Sequence, residues 1–235
     1  MTDMEVWGIN HRTARTAGLL YLVVVLTGIF NLLYVPSQLF VAGDAAATSH
    51  NIQASLPLFK LSILAGVLCY TAFLFLPLVL YRLLAPFGRT AATLMVALAL
   101  VSVPLSLANL VHRHEVLTLL GGAEYLSAFT PAELHARVEL ALESYRSGIR
   151  VSEVFWGLWL FPFGLLAYRS GAIPRLLGVL LMAGCFGYLI HNIAGLFHPQ
   201  FESSKLASII SLPAGLGEIG TCLWLLIRGA GKRAA

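Results

Sequence analysis

The stretch LFKLSILAGVLCYTAFLFLPLVLYRL, residues 58–83, decides the fold class of this chain. Its only charged residues are Lys60 near the start and Arg82 near the end. A helix needs about 20 predominantly apolar residues to cross the hydrocarbon core of a bilayer. The stretch shows no two-residue alternation of the kind that a membrane β-strand requires. It is therefore predicted to be a membrane-spanning helix.

Five further stretches have the same character, so six membrane-spanning helices are predicted. The predicted spans are residues 16–38, 58–83, 90–111, 150–168, 175–197 and 206–227. Hydrophobic residues make up 58% of the chain and charged residues 11%, with a mean hydropathy of +0.83, whereas a soluble domain carries about 25% charged residues. These values predict an all-α, polytopic membrane helical bundle that forms one membrane domain over residues 1–235, with the lipid bilayer as its first partner.

The lysines and arginines near the span ends indicate an orientation, because cytoplasmic loops are enriched in these residues. With a cytoplasmic N-terminus, nine of the 15 basic residues lie on the inner side: Arg12, Arg15, Arg82, Arg89, Arg169, Arg175, Arg228, Lys232 and Arg233. Six lie on the outer side or at the outer ends of spans: Lys60, Arg113, Arg137, Arg146, Arg150 and Lys205. We therefore expect both termini in the cytoplasm of a multi-pass inner-membrane protein. The net charge of +4 then anchors the inner side, and no basic run suggests nucleic-acid binding.

Two outer segments have local signals of their own. In residues 39–57, Thr48 or Ser49 is predicted to cap a short helix. In residues 112–149, Thr130-Pro131-Ala132-Glu133 forms a capping-box pattern, and apolar residues follow it at helical spacing. An extra outer amphipathic helix over 131–148 is predicted. It either rests on the outer interface or covers a cavity as a lid.

Polar groups inside the spans are few, and with the N-terminus inside they belong to the outer half of the bilayer. They are Lys60, Asn31, Asn109, His112, Glu153, His191, Asn192 and Glu218. Because ionisable residues in membrane helices are costly, they usually face the bundle interior. The asymmetry predicts a polar cavity that opens outward and binds a ligand through these side chains.

Glu218 is the strongest candidate among them, because it lies near the middle of the sixth span. A carboxyl group there has to be paired, hydrogen-bonded or neutral. Lys60, His191 and Asn192 are the predicted partners by depth. Glu218 is either a polar clamp between helices or a functional acid, and Glu153 is a second candidate that could instead pair with Arg150, three residues before it.

Other chemistry has weaker signals. The aromatic run 155–163 contains Trp156 and Trp159, which pack in the core or line a ligand cavity. His112, His114 and Glu115 do not have the spacing of a helical metal-ligand pair, so neither a metal nor a cofactor is predicted. All three cysteines fall inside predicted spans and are read as packing residues.

Several pieces of the sequence resemble one bacterial membrane family, the domain of unknown function 4386. They include Gly18-Leu19-Leu20-Tyr21, Gly43–Thr48, Leu80–Leu84, Ile173-Pro174-Arg175, Gly187-Tyr188-Leu189-Ile190 and Gly217-Glu218. The resemblance covers most of the chain. It implies a multi-span bacterial membrane protein and brings no established activity.

Three functions are compatible with these observations. The first is an uncharacterised membrane protein whose outward-opening cavity binds a small or lipophilic molecule. The second is a membrane enzyme that uses Glu218 or Glu153 as general acid or base on an apolar lipid or isoprenoid-like substrate. The third is a small proton-coupled transporter, a reading that favours a homo-dimer. The apolar inner halves of the spans count against transport.

Overall fold

A computed structural model of the chain describes residues 11–198, 200–201 and 204–230. Within these ranges the fold is all-α and contains no strand. The helices are α1 (His11–Ile29), α2 (Val35–Leu39), α3 (Ala45–Ala54), α4 (Leu56–Leu84), α5 (Arg89–Asn109), α6 (Val111–Leu119), α7 (Pro131–Leu158), α8 (Leu160–Ser170), α9 (Arg175–Phe197) and α10 (Lys205–Ile227). The predicted fold class is confirmed.

Six helical segments are long and apolar enough to cross a membrane, judged by length and composition. They are His11–Leu39, Leu56–Phe87, Arg89–Leu119, Pro131–Ser170, Arg175–Phe197 and Lys205–Ile227. Each contains one predicted span, so six helices long and apolar enough to span a membrane are confirmed. The orientation stays a prediction, and Lys232 and Arg233, which contribute to it, lie outside the described residues.

The fourth segment differs from the prediction of a separate outer helix over 131–148, because α7 continues without a break to Leu158. The predicted capping box forms at its start: the backbone N–H of Thr130 donates to Glu133 Oε2 at 2.7 Å, and the Glu133 N–H donates to Thr130 Oγ1 at 3.3 Å. Gly148 alone does not interrupt the helix, since a single glycine costs only about 1 kcal/mol relative to alanine. The amphipathic part and the start of the span are therefore one helix.

The third segment is also longer than predicted. Its apolar part ends near residue 111, but α6 carries the helical path on to Leu119 after a single-residue interruption at Leu110. The polar residues 112–115 are consequently helical residues, and the surroundings of Arg113 are described below.

The N-cap residue of the short helix α3 is Asp44, so the prediction of a Thr48 or Ser49 cap was wrong. The Asp44 side chain accepts a hydrogen bond from the Ala47 N–H at 2.8 Å, which is the bond an N-cap residue makes to the third residue of its helix. Thr48 is buried instead, and its hydroxyl accepts from the Val41 N–H at 2.9 Å.

Replacing Asp44 by alanine is expected to loosen the first turn of α3 by about 1 kcal/mol, the usual cost of a lost N-cap. Backbone amides 46–48 should then exchange hydrogen faster in a mass-spectrometric measurement. Asp44→Asn keeps an acceptor and should exchange like the wild type, as should His50→Ala on the exposed side of the same helix. Equal exchange in the alanine and asparagine variants would show that the cap contributes nothing.

The chain divides into two compact units. Unit 1 comprises residues 1–23, 72–103 and 152–235, and unit 2 comprises residues 24–71 and 104–151. In unit 1, α9 packs against both α8 and α10. Gly164 and Gly178 make the first of these contacts possible, because a Cβ on Gly164 would lie 2.5 Å from the Gly178 carbonyl oxygen. Such close helix approach is typical of membrane helices with small residues at the contact.

Unit 2 contains a π-helical turn, Phe30–Tyr34, between α1 and α2. In this turn the Val35 N–H donates to the Phe30 carbonyl, five residues back. In the same register the Asn31 carbonyl would accept from residue 36, but Pro36 has no N–H to donate. The Asn31 carbonyl oxygen is therefore available to a side chain.

An apolar cluster forms the core of unit 2 on the same side as this turn. It is made of Val35, Leu39, Ile52, Phe59, Ile63, Val116, Val138, Ala141 and Leu142. The cluster joins α2, α3, α4, α6 and α7, so the residues that follow the π turn are fixed by packing.

Candidate functional site

Glu218 lies on α10 in unit 1, and two tyrosines hydrogen-bond its carboxylate. The Tyr21 hydroxyl donates to Oε1 at 3.1 Å, and the Tyr188 hydroxyl donates to Oε2 at 3.4 Å. Tyr21 is 1% exposed, whereas Glu218 and Tyr188 are half-buried. Parts of Glu218 and of Tyr188 therefore reach the molecular surface, whereas Tyr21 does not.

Several aromatic side chains pack against Tyr21. Its ring centroid lies 6.3 Å from that of Trp159 and 6.4 Å from that of Phe163. Trp159 stacks on Phe163 at 5.1 Å and meets Phe73 edge-on at 5.1 Å. Trp159 is fully buried, so it supports the ring of Tyr21 by packing against it. A direct contact between Trp159 and a ligand stays a prediction.

The second predicted acid lies near the same cluster, on another helix. Glu153 is close enough to Tyr188 for an electrostatic interaction between them. The two helices pack closely here, since a Cβ on Gly157 would lie 2.7 Å from the Tyr188 Cβ. Glu153 stands four residues before Gly157 and so shares its helix face. Of the two sequence-predicted carboxyl groups, Glu218 thus accepts a hydrogen bond from Tyr188 and Glu153 lies in its vicinity.

The two hydrogen bonds described above for Glu218 come from tyrosines, which were not among its predicted partners Lys60, His191 and Asn192. His191 instead approaches the ring of Phe201 at 6.0 Å, and its buried Nδ1 has no hydrogen-bond partner within the described residues. Lys60 is exposed and belongs to unit 2.

In unit 2 the two predicted asparagines meet at Tyr145. Asn31 Nδ2 donates to the Tyr145 hydroxyl at 3.4 Å, and Asn109 Nδ2 donates to the Tyr145 carbonyl at 2.8 Å. Asn31 is 1% exposed and Asn109 is 7% exposed. Both are therefore buried polar residues, as predicted.

Arg113 joins this second cluster and was missed as a site residue. Nη1 donates to Ser62 Oγ at 2.7 Å, and Nη2 donates to the Asn31 carbonyl at 3.2 Å. The guanidinium also lies 4.2 Å from the Tyr145 ring centroid and 5.8 Å from that of Phe59. The side chain is 1% exposed, so Arg113 is a buried residue of unit 2 and not a surface charge, and the side of the membrane on which it lies stays a prediction.

The pair His112 and Glu115 lies at the surface. His112 Nδ1 lies 3.6 Å from Glu115 Oε2, and both side chains are substantially exposed. No group of three or more metal-ligating side chains occurs among residues 11–198, 200–201 and 204–230. A surface pocket of about 390 Å³ lies in unit 2 near the start of α7, with Leu119, Phe129 and His135 in its lining. None of the predicted site residues lines that pocket.

Comparison with known proteins identifies the family. The family model described as "Domain of unknown function (DUF4386)" matches residues 16–229. The chain belongs to this family. The predicted family is therefore confirmed, and no activity comes with it.

One curated relative of this DUF4386 chain is an uncharacterised protein of Archaeoglobus fulgidus. It is 32% identical over 88 residues, which cover 37% of this chain and 50% of the relative. The match thus spans about half the length of the relative. No solved structure matches the chain.

The stretches that resemble DUF4386 include all three members of the Glu218 cluster. Tyr21 ends Gly18–Tyr21, Tyr188 lies in Gly187–Ile190, and Glu218 lies in Gly217-Glu218. This coincidence is the signal that could have identified the tyrosines in advance. For Arg113 the available signal was its position four residues after Asn109, which places both on one helix face.

Proposed function

We propose that this DUF4386 protein is a membrane-embedded binding protein for a small lipophilic molecule whose head group donates hydrogen bonds, as a hydroxyl or an ammonium does. The observation that carries the proposal is the mid-helix carboxylate of Glu218, held by two phenol hydroxyls. The binding group is an acceptor: a carboxylate has about four lone-pair positions, and the tyrosines occupy two of them.

The surroundings favour a lipophilic partner. Glu218 is the one acidic residue of α10, and Leu216 and Ile219 are exposed beside it. A molecule that approaches from the hydrocarbon would place its chain along such residues and its head on the carboxylate. Trp156, half-buried one turn from Glu153, is the proposed wall residue. An outward-opening cavity around Glu218 is part of this proposal.

The test compares ligands that differ only in the head group. We would measure binding of dodecylamine, dodecanol and dodecanoic acid to the purified full chain in a neutral detergent by native mass spectrometry. The amine or the alcohol should bind more tightly than the acid. Glu218→Gln should weaken that binding about 10- to 100-fold, which corresponds to the loss of a hydrogen bond to a charged group.

Tyr188→Phe should produce a smaller loss, because one donor that orients the carboxylate disappears. Tyr168→Phe is the matched control, since Tyr168 is an exposed tyrosine of the same unit, and it should bind like the wild type. Equal binding of all three ligands, or equal affinity in Glu218→Gln and wild type, would rule out the proposed site.

The proximity of both Glu153 and Glu218 to Tyr188 favours one second function, acid–base catalysis on an apolar lipid or isoprenoid-like substrate. Two carboxyl groups near one phenol can act as proton donor and acceptor in one reaction. Lipid extracts of cells with wild-type protein, Glu153→Gln and Glu218→Gln should then differ in the same lipid species. Binding without any such change would favour the first function.

A further inference from the structure

We propose that Arg113 forms a second binding site, in unit 2, which takes an oxyanion: a carboxylate or phosphate group, either on the head of an amphiphile or free in solution. This inference does not rest on the proposed function. It concerns another unit, other residues and a ligand group of opposite character.

The first step is the charge. An arginine stays protonated in proteins, so Arg113 places a full positive charge in a position that is 1% exposed. No aspartate or glutamate among the described residues forms an ion pair with Arg113. Arg146 and Arg150 of the same unit do pair with glutamates, but they lie near the surface. A buried charge without a counter-charge is costly, and a membrane domain retains such a residue mainly for function.

The second step is the set of neighbours, which are neutral. The guanidinium donates to a serine hydroxyl and a backbone carbonyl, and it faces two aromatic rings. Its Nε–H is buried and has no hydrogen-bond partner within the described residues. Asn31 Oδ1, in the same cluster, is also buried and has no hydrogen-bond partner within the described residues. The donors of Arg113 are therefore only partly used.

The third step is the match to an oxyanion. The guanidinium presents its N–H groups as a planar fork that fits the two oxygens of a carboxylate or phosphate. Hydrogen bonds between two charged groups are about twice as strong as neutral ones. An oxyanion that engages Nε–H and a second N–H would supply both the missing partner and the missing charge. Replacement of the hydrogen bond from Arg113 to Ser62 or to the Asn31 carbonyl by one to the oxyanion is then favourable.

The fourth step is the wall that covers the site. The Asn31 carbonyl is available to Arg113 because of the π turn and Pro36, and π turns are frequent at functional sites. Leu33 and Tyr34 in the same turn are 65% and 50% exposed. The π turn thus carries both the carbonyl that binds Arg113 and two exposed side chains, and displacement of this turn would admit a ligand head.

The experiment uses the full chain in a neutral detergent and three probes: inorganic phosphate, a hexadecanoic acid with a diazirine next to its carboxyl group, and the matching hexadecanol derivative. Binding is measured by native mass spectrometry. We expect the acid or phosphate to bind and the alcohol to bind at least tenfold more weakly. Binding of phosphate identifies a free anion as ligand, and binding of the acid alone identifies an amphiphile head.

Arg113→Gln should weaken binding of the anionic probe about 10- to 100-fold, and Arg113→Lys should weaken it less, because the charge remains without the fork. Arg146→Gln, which removes a surface arginine from the same unit, should leave the affinity unchanged. If Arg113→Gln does not fold, photo-crosslinking of the acid to the wild type decides: crosslinks should map to residues 59–62, 113 or 145. Equal binding of acid and alcohol, unchanged affinity in Arg113→Gln, or crosslinks confined to other residues would overturn the inference.

Discussion

Trp159→Ala is expected to destabilise the protein more than any other single truncation, by about 3–5 kcal/mol. Among the described residues, Trp159 is the largest fully buried side chain, and it lies against the rings of Tyr21, Phe73 and Phe163. Its removal leaves a cavity that rigid helices on either side cannot close. Thermal unfolding in mild detergent should show a markedly lower midpoint, and Trp159→Phe should recover part of the loss.

The matched control is Trp156→Ala, three residues earlier on the chain and half-buried. It should lower the unfolding midpoint less, because less of its side chain is enclosed than that of Trp159. If Trp156 contacts the lipophilic ligand, its truncation should instead weaken binding of dodecylamine or dodecanol. Equal midpoints for the two alanine variants would contradict the interpretation of Trp159 as the support behind Tyr21.

Gly18→Ala is expected to be the second most damaging change, although it adds one methyl group. The new Cβ would lie 2.5 Å from the Leu226 nitrogen, 2.8 Å from the Leu226 Cα and 2.9 Å from the Leu225 carbonyl carbon. All three are backbone atoms near the end of α10, which belongs to unit 1 like Gly18. No side-chain rotation therefore relieves the clash. Overpacking costs about 1–3 kcal/mol and occasionally more.

Gly215→Ala provides the comparison that isolates this clash. A Cβ on Gly215 meets nothing within 4 Å, and alanine is favoured over glycine in a helix by about 0.5–1 kcal/mol. This variant should unfold at or slightly above the wild-type midpoint, whereas Gly18→Ala should unfold well below it. A Gly18→Ala protein as stable as Gly215→Ala would show that α1 and α10 do not pack as closely as described.

The six spans could be predicted from the sequence because hydropathy reports directly which segments suit an apolar medium. The ends of two segments could not. Helix α7 begins with an amphipathic part whose polar face lowers its hydropathy, and the third segment ends with the polar run 112–115. Hydropathy falls in both places while the backbone stays helical. The third predicted span therefore ended too early, and the fourth began too late.

The candidate site could be predicted only through its charged members. Glu218 and Glu153 are conspicuous in apolar helices, and the structure places both near Tyr188. Their tyrosine partner was not predicted because tyrosine is polar only at its hydroxyl and does not interrupt an apolar run. Arg113 was assigned to the wrong environment because a charge beside a predicted span end fits the surface and the interior equally well. Contacts between helices resolve that ambiguity. Such contacts cannot be read from the sequence of one span taken alone.

The π turn at Phe30–Tyr34 has a consequence for the comparison of relatives. Its hydrogen bonds close over one residue more than those of an α-helix, so the turn amounts to an inserted residue within a helix. A homologue that lacks this residue would rotate the following segment by about 100° relative to Asn31. Val35 and Leu39 would then leave the apolar cluster, and Arg113 would face a different carbonyl. A one-residue gap between positions 30 and 34 of an alignment would thus mark a relative whose arginine site, if present, has evolved differently.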